Sequence, residues 1–144
     1  MPNFRFNDGE IEVPPDWEDK TVVALSFPAD AKQALATMTI TREPLKASNL
    51  ATYIDKQLVE MAKTFPRYEL LKREEMIVDG QSAIQLEFTW RTPDNIFVHQ
   101  QQTILIIPKK IVLTFTATTP KNKFKEYRQN FESLVQSFCL SKKT

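Results

Sequence analysis

The chain has 144 residues, 42% of them hydrophobic, and its 19 basic side chains nearly cancel 18 acidic ones for a formal net charge of +1. That length suits one well-cored domain, taken here as residues 1–144, and is short for two. The balance of charge excludes a long-range field that would gather nucleic acid or an anionic membrane.

In chain order, Asn3–Phe6 and Glu10–Val13 flank the turn Asn7-Asp8-Gly9 and predict a short hairpin. Pro14-Pro15-Asp16-Trp17 breaks it. Thr21–Phe27 and Leu35–Arg42 alternate with period two and are expected as strands joined by a loop at Pro28-Ala29-Asp30. Ser48 is read as the N-cap of a helix whose apolar stripe runs Leu50, Ile54, Leu58, Met61 and Phe65, with Pro66 ending it. Asp79-Gly80 is a strong hairpin signal between strands at Tyr68–Val78 and Gln81–Arg91. Pro93-Asp94-Asn95 turns the chain into Ile96–Ile107, and Lys109-Lys110 turns it again into Ile111–Thr119. After Pro120 a second helix carries Phe124, Tyr127, Phe131, Leu134, Val135 and Phe138 on one side.

The order predicts an α+β fold, a largely antiparallel β-sheet packed with two long helices. Alternation puts Ile84, Leu86, Phe88 and Trp90 on one face and Gln85, Glu87 and Thr89 on the other. Thr37, Thr39 and Thr41 alternate likewise, as do Thr114, Thr116 and Thr118. One face is expected to bury a core and the other to be a mixed threonine and glutamine surface. The acidic start (Asp8, Glu10, Glu12, Asp16, Glu18, Asp19) and the basic end (Lys121, Lys123, Lys125, Arg128, Lys142, Lys143) are read as solvated surface.

Enzymatic chemistry finds few footholds. The two glycines, Gly9 and Gly80, both fall in turns, so neither a phosphate-cradling loop nor a dinucleotide fingerprint can be built. A single histidine, His99, and a single cysteine, Cys139, cannot make a structural zinc site. They are read as a sheet histidine and a core-facing thiol rather than a nucleophile and its base. Neighbouring carboxylates such as Glu74-Glu75 would face opposite ways in a strand. No enzyme activity and no cofactor are expected. A lone cysteine and an N-terminus without an apolar signal core point to the reducing cytoplasm.

Several segments together resemble a known family: Ile11-Glu12-Val13-Pro14-Pro15-Asp16-Trp17-Glu18-Asp19, then Ile40-Thr41-Arg42, then Tyr53-Ile54-Asp55-Lys56-Gln57-Leu58. With Lys72-Arg73, Gln101-Gln102 and Thr118-Thr119-Pro120 they are similar, in order and over almost the whole chain, to the DcrB-like family and within it to the Eag chaperones of type VI secretion. The resemblance implies a PsbP-like α/β sandwich and a homodimer that shields the N-terminal hydrophobic helices of a secreted effector. Carried over by position, the client-helix binding residues would be Val22, Ala24, Met38, Gln57 and Gln102. A soluble adaptor on the same scaffold, for example one binding a small GTPase, is the alternative, since it too needs no catalytic residues.

Overall fold

A computed structural model describes residues 2–27 and 36–141. An N-terminal hairpin of β1 (Asn3–Phe6) and β2 (Gly9–Glu12) forms its own two-stranded sheet. The remaining strands are β3 (Val22–Ser26), β4 (Thr37–Pro44), β5 (Glu69–Val78), β6 (Gln81–Arg91), β7 (Phe97–Ile107) and β8 (Ile111–Pro120). They make one six-stranded sheet in the order β3-β4-β8-β7-β6-β5, antiparallel at every pairing. Helix α1 (Leu50–Thr64) follows β4, and α2 (Phe124–Gln136) closes the fold after a 3-10 turn at Lys121–Lys123.

The turn chemistry explains the meander. Asp79 and Gly80 take φ of 49° and 73°, the paired left-handed conformation of a two-residue hairpin turn. Asn95 adopts φ 64°, as asparagine tolerates, before β7 begins. The strands lie within a residue or two of their expected bounds. Leu35 and the loop expected at Pro28-Ala29-Asp30 lie outside the described residues, as do Lys142 and Lys143.

The helices are of ordinary length, 15 and 13 residues, rather than long. Helix α1 is capped by Asn49, not Ser48, because the Asn49 side chain accepts from the Thr52 amide at 2.9 Å. Along α2, Phe124, Phe131 and Val135 are buried, whereas Leu134 is exposed. Position 134 falls beside the seam rather than on it, which corrects its expected place in the core.

The larger departure concerns the sheet faces. Ile54 and Met61 of α1 pack with Ile84, Leu86, Phe88, Ile104 and Val112 on one face. Phe124, Phe131 and Val135 of α2 pack with Met38, Ala83, Leu105, Phe115 and Ala117 on the other. Adjacent strand residues such as Ala83 and Ile84 point to opposite faces, so the molecule has three layers, helix on sheet on helix. The face expected to be solvated instead carries a second core. Burial of each large side chain in these clusters stabilises the fold by roughly 1.5–3 kcal/mol relative to exposure.

Candidate functional site

Helix α1 covers only part of its face, over β6, β7 and the start of β8. Beyond it the cross-strand register builds three rows of side chains. One reads Val22, Thr41, Thr114, Ile104; the next Ala24, Thr39, Thr116, Gln102; the third Ser26, Thr37, Thr118, Gln100. Six threonines on β4 and β8 thus stand opposite one another in register, with small or branched residues on the edge strand and glutamines on β7.

The half of this surface next to α1 is wired by hydrogen bonds. Gln102 donates to the Thr116 hydroxyl at 3.3 Å, and Gln100 donates to the Thr118 hydroxyl at 3.0 Å while accepting from the Trp90 indole at 2.8 Å. The Tyr53 hydroxyl donates to the Glu43 carboxylate. Burial and then that hydrogen bond raise the pKa of Tyr53, so it stays protonated. On β4, by contrast, the hydroxyls of Thr37, Thr39 and Thr41 bond to no side chain among the described residues. Where the sheet meets α1 lies a cleft of about 440 Å³, lined by Gln57, Gln102, Tyr53, Thr41, Thr114 and Thr116 among others.

Four of the five residues singled out by resemblance therefore share one surface. Val22, 60% exposed, and Ala24 stand on the edge strand, Gln102 on β7, and Gln57 on the flank of α1 facing Gln102 across the cleft. Met38 does not join them: it is 3% exposed and packs in the core beneath α2, on the opposite face. Its pairing partner is Leu25, not Ala24. Gln102 on β7 has a partner within the chain, since the Thr116 hydroxyl accepts from its amide.

The α2 face holds a polar cluster that alternation alone assigned to solvent. The Glu87 side chain is 4% exposed and accepts from both guanidinium nitrogens of Arg128, at 2.8 and 3.1 Å, and from Gln101 at 3.4 Å. His99 Nε2 lies 3.0 Å from its other oxygen, and Lys72 approaches to 3.8 Å. Burial by itself would raise the pKa of Glu87. Hydrogen bonds from His99 and Arg128, the charge of Arg128 and the bond from Gln101 outweigh it and bring it to about 2. His99 and Arg128 both lie on the Phe124 ring, His99 stacked at 3.6 Å and the guanidinium at 4.8 Å. One signal pointed to this cluster: Arg128 sits at helical spacing between Phe124 and Phe131, inside the apolar stripe of α2. A charge there needs a partner in the sheet.

The cluster ties α2 to the sheet through charge-assisted hydrogen bonds between Arg128 and Glu87. His99 is committed to Glu87 and Phe124, and Cys139 is exposed rather than core-facing. No group of three or more potential metal ligands occurs among the described residues. No described helix is long and apolar enough to cross a membrane.

Comparison with known proteins places these features. The DcrB family profile matches residues 8–137. A Pseudomonas aeruginosa protein named Effector EagT6 is 25% identical over 138 residues, covering 94% of this chain and 96% of that protein. The crystal structure of PA94, a Pseudomonas aeruginosa protein described as of unknown function, superposes with a TM-score of 0.84 at 22% identity, over 99% of both chains. LpqN of Mycobacterium tuberculosis, described as involved in cell envelope biogenesis, gives 0.60 at 16% identity, over 88% of this chain and 79% of its own. The solution structure of PsbP from the cyanobacterium Synechocystis gives 0.59 at 14%, over 92% and 86%. The fold is PsbP-like, and none of these relatives is named as an enzyme.

Proposed function

This chain belongs to the DcrB family, and on that premise we propose that it is a cytoplasmic chaperone of the Eag type, a non-enzymatic homodimer that shields N-terminal hydrophobic helices of a type VI secretion effector. The observation that carries the reading is the half-covered sheet face on which Val22, Ala24, Gln57 and Gln102 converge around in-register threonines. The likeness to Effector EagT6 over nearly the full length of both proteins supports it.

Such a surface suits the task. A membrane helix in water leaves each large side chain short of roughly 1.5–3 kcal/mol of burial, so aliphatic contacts must be supplied. Val22 and Ala24 offer them without bulk. Small or hydroxyl-bearing positions on the client helix bring its backbone close and leave polar groups wanting partners. The unengaged hydroxyls of Thr39 and Thr41 meet those groups, as does Gln102 Oε1, which accepts from no described residue.

The test is co-expression with an effector fragment whose N-terminus contains apolar helices, followed by recovery of the complex. Wild-type protein should recover the fragment, and Gln57→Ala or Gln102→Ala should lose roughly one decade of affinity, on the order of 1–3 kcal/mol per client bond removed. Equal recovery of a fragment lacking those helices would refute the reading and favour a soluble adaptor.

A further inference from the structure

The net charge of +1 over the whole chain hides a local imbalance at one end of the sheet. Three segments meet there: residues 63–69, which leave α1 and enter β5; residues 91–97, the reversal between β6 and β7; and residues 120–123, where β8 runs into the 3-10 turn. The Arg91 amide donates to the Pro66 carbonyl at 2.8 Å, Phe65 stacks on Trp90 at 4.3 Å, and Val98 pairs with Pro120, so the three are held together. They carry five basic residues, Lys63, Arg67, Arg91, Lys121 and Lys123, against two acidic ones, Glu69 and Asp94. Lys123 is shared with Glu126 at 3.5 Å. Among the described residues no carboxylate pairs with Lys63, Arg67, Arg91 or Lys121.

Among these charges stand two apolar side chains. Ile96 is 51% exposed and Phe97 41%, side by side on the outside of the reversal, and Phe97 pairs across the strands with Arg91. Their exposure is built in, because Thr92 closes the turn from three directions. Its carbonyl accepts from the Asn95 amide at 2.9 Å, its hydroxyl accepts from the Ile96 amide at 3.3 Å, and its own amide donates to the Ile96 carbonyl at 2.9 Å. Lys121 Nζ sits 5.4 Å from the centre of the Phe97 ring, so a cation and an exposed aromatic face share one spot. This end is separate from the open threonine face, since alternation puts Phe97 on the α2 side of the sheet with His99, which stacks on Phe124.

We infer that this end docks on an anionic phospholipid bilayer, with Ile96 and Phe97 entering the headgroup region and Arg67, Arg91 and Lys121 meeting lipid phosphates. Binding of this kind rests on buried apolar area together with attraction to anionic lipids, and both are present at the same place. A bilayer is favoured over an acidic protein because the apolar pair lies on the outside of a reversal, which enters a deformable surface but does not enclose a partner side chain. The cations are also spread over three segments, as suits a diffuse anionic surface rather than one carboxylate. The near-neutral chain is not drawn from afar, and attraction begins within a Debye length, ~10 Å at 0.1 M salt. Each basic residue near such a surface strengthens binding about five-fold, so three give about 100-fold. Burial of the exposed parts of Ile96 and Phe97 adds about five-fold for each.

The experiment is sedimentation with vesicles of phosphatidylglycerol and phosphatidylcholine in equal parts, beside vesicles of phosphatidylcholine alone. Wild-type protein should bind the mixed vesicles at least about 30-fold more tightly than the neutral ones, and should lose most of that advantage as salt rises from ~0.1 M to ~0.5 M. Ile96→Ser combined with Phe97→Ser should weaken binding about ten-fold or more. Arg67→Glu combined with Lys121→Glu should weaken it at least about 100-fold, and Asp94→Lys should strengthen it about five-fold or more. Ile77→Ser, an exposed aliphatic at the far end of β5, should change nothing. Circular dichroism melts of all these variants should match wild type, because every substituted side chain is exposed. Equal binding to neutral vesicles, or none to the mixed ones, overturns the inference, as does an Asp94→Lys variant no tighter than wild type. A serine pair that binds like wild type also overturns it, leaving a surface for polyanions such as an acidic peptide or a nucleic acid. Inorganic phosphate that competes better than chloride at matched ionic strength overturns it too, in favour of a site for free phosphate.

Discussion

Replacing Glu87 by glutamine should cost more stability than any other single polar substitution in the sheet, and the size of the loss follows from its surroundings. The carboxylate is 4% exposed and is met by Arg128 through two bonds of 2.8 and 3.1 Å, by His99 at 3.0 Å, and by Gln101 and Lys72 at longer range. Its pKa falls from 4.5 to about 2. At 1.36 kcal/mol per unit, that depression corresponds to about 3 kcal/mol. Because the folded pKa lies below the unfolded one, the stabilisation is complete above pH 4.5 and is lost as pH falls from 4.5 towards 2. Glutamine keeps the shape and some hydrogen bonding, so Glu87→Gln at pH 7 should lose about 2–3 kcal/mol. With ~2.1 cal/mol/K of unfolding entropy per residue, a chain of this length melts about 7–10 °C lower for that loss. The assay is a set of thermal melts of both proteins from pH 7 to pH 2.5. The gap between them should be full at pH 7 and 6, and fall below about half its value at pH 2.5. A gap under about 2 °C at neutral pH, or one that stays constant down to pH 2.5, refutes the argument that charge pairing of Glu87 holds α2 to the sheet.

Phe131→Ala should lower stability by about 3–5 kcal/mol, because its fully buried ring packs in the core between α2 and the sheet and against Phe27; chemical denaturation measures it. Asn49→Ala removes the cap of α1 and should cost about 1 kcal/mol by the same measurement, while Ser48→Ala should cost close to nothing. Cys139 is exposed, so a thiol reagent should label it in the native protein nearly as fast as in the denatured one; protection by ten-fold or more would contradict its placement.

The strands and their connections were legible in the sequence because turns leave local chemical marks. Asp79-Gly80, Asn95 and Lys109-Lys110 sit where the chain reverses, and the strands between them follow. What alternation could not supply was the layer arrangement. Period two separates Glu87 from Leu86 and Phe88, but whether a helix lies over each face depends on contacts between residues far apart in the chain. Arg128 within the stripe of α2 is the one local mark of that contact, since a guanidinium interrupting a helix's apolar stripe is best placed where an acceptor such as Glu87 meets it.

The same reasoning decides between neighbouring residues at the candidate site. A position carried over from a resembling family fixes a place along a strand, and an error of one residue moves the side chain to the other face of the sheet. Val22 and Ala24 pair with Thr41 and Thr39, so the residue of β4 that shares their surface is Thr39, while Met38 beside it pairs with Leu25 and turns into the α2 core. A substitution at Thr39 therefore changes the chemistry of the open face, exchanging a hydroxyl free of side-chain bonds for another group in the row that ends at Gln102. A substitution at Met38 changes packing under Phe115, Phe131 and their neighbours and reaches that face only through the stability of the sheet. The register thus makes Thr39, rather than Met38, the partner of Ala24 and Gln102 in any recognition that this face performs.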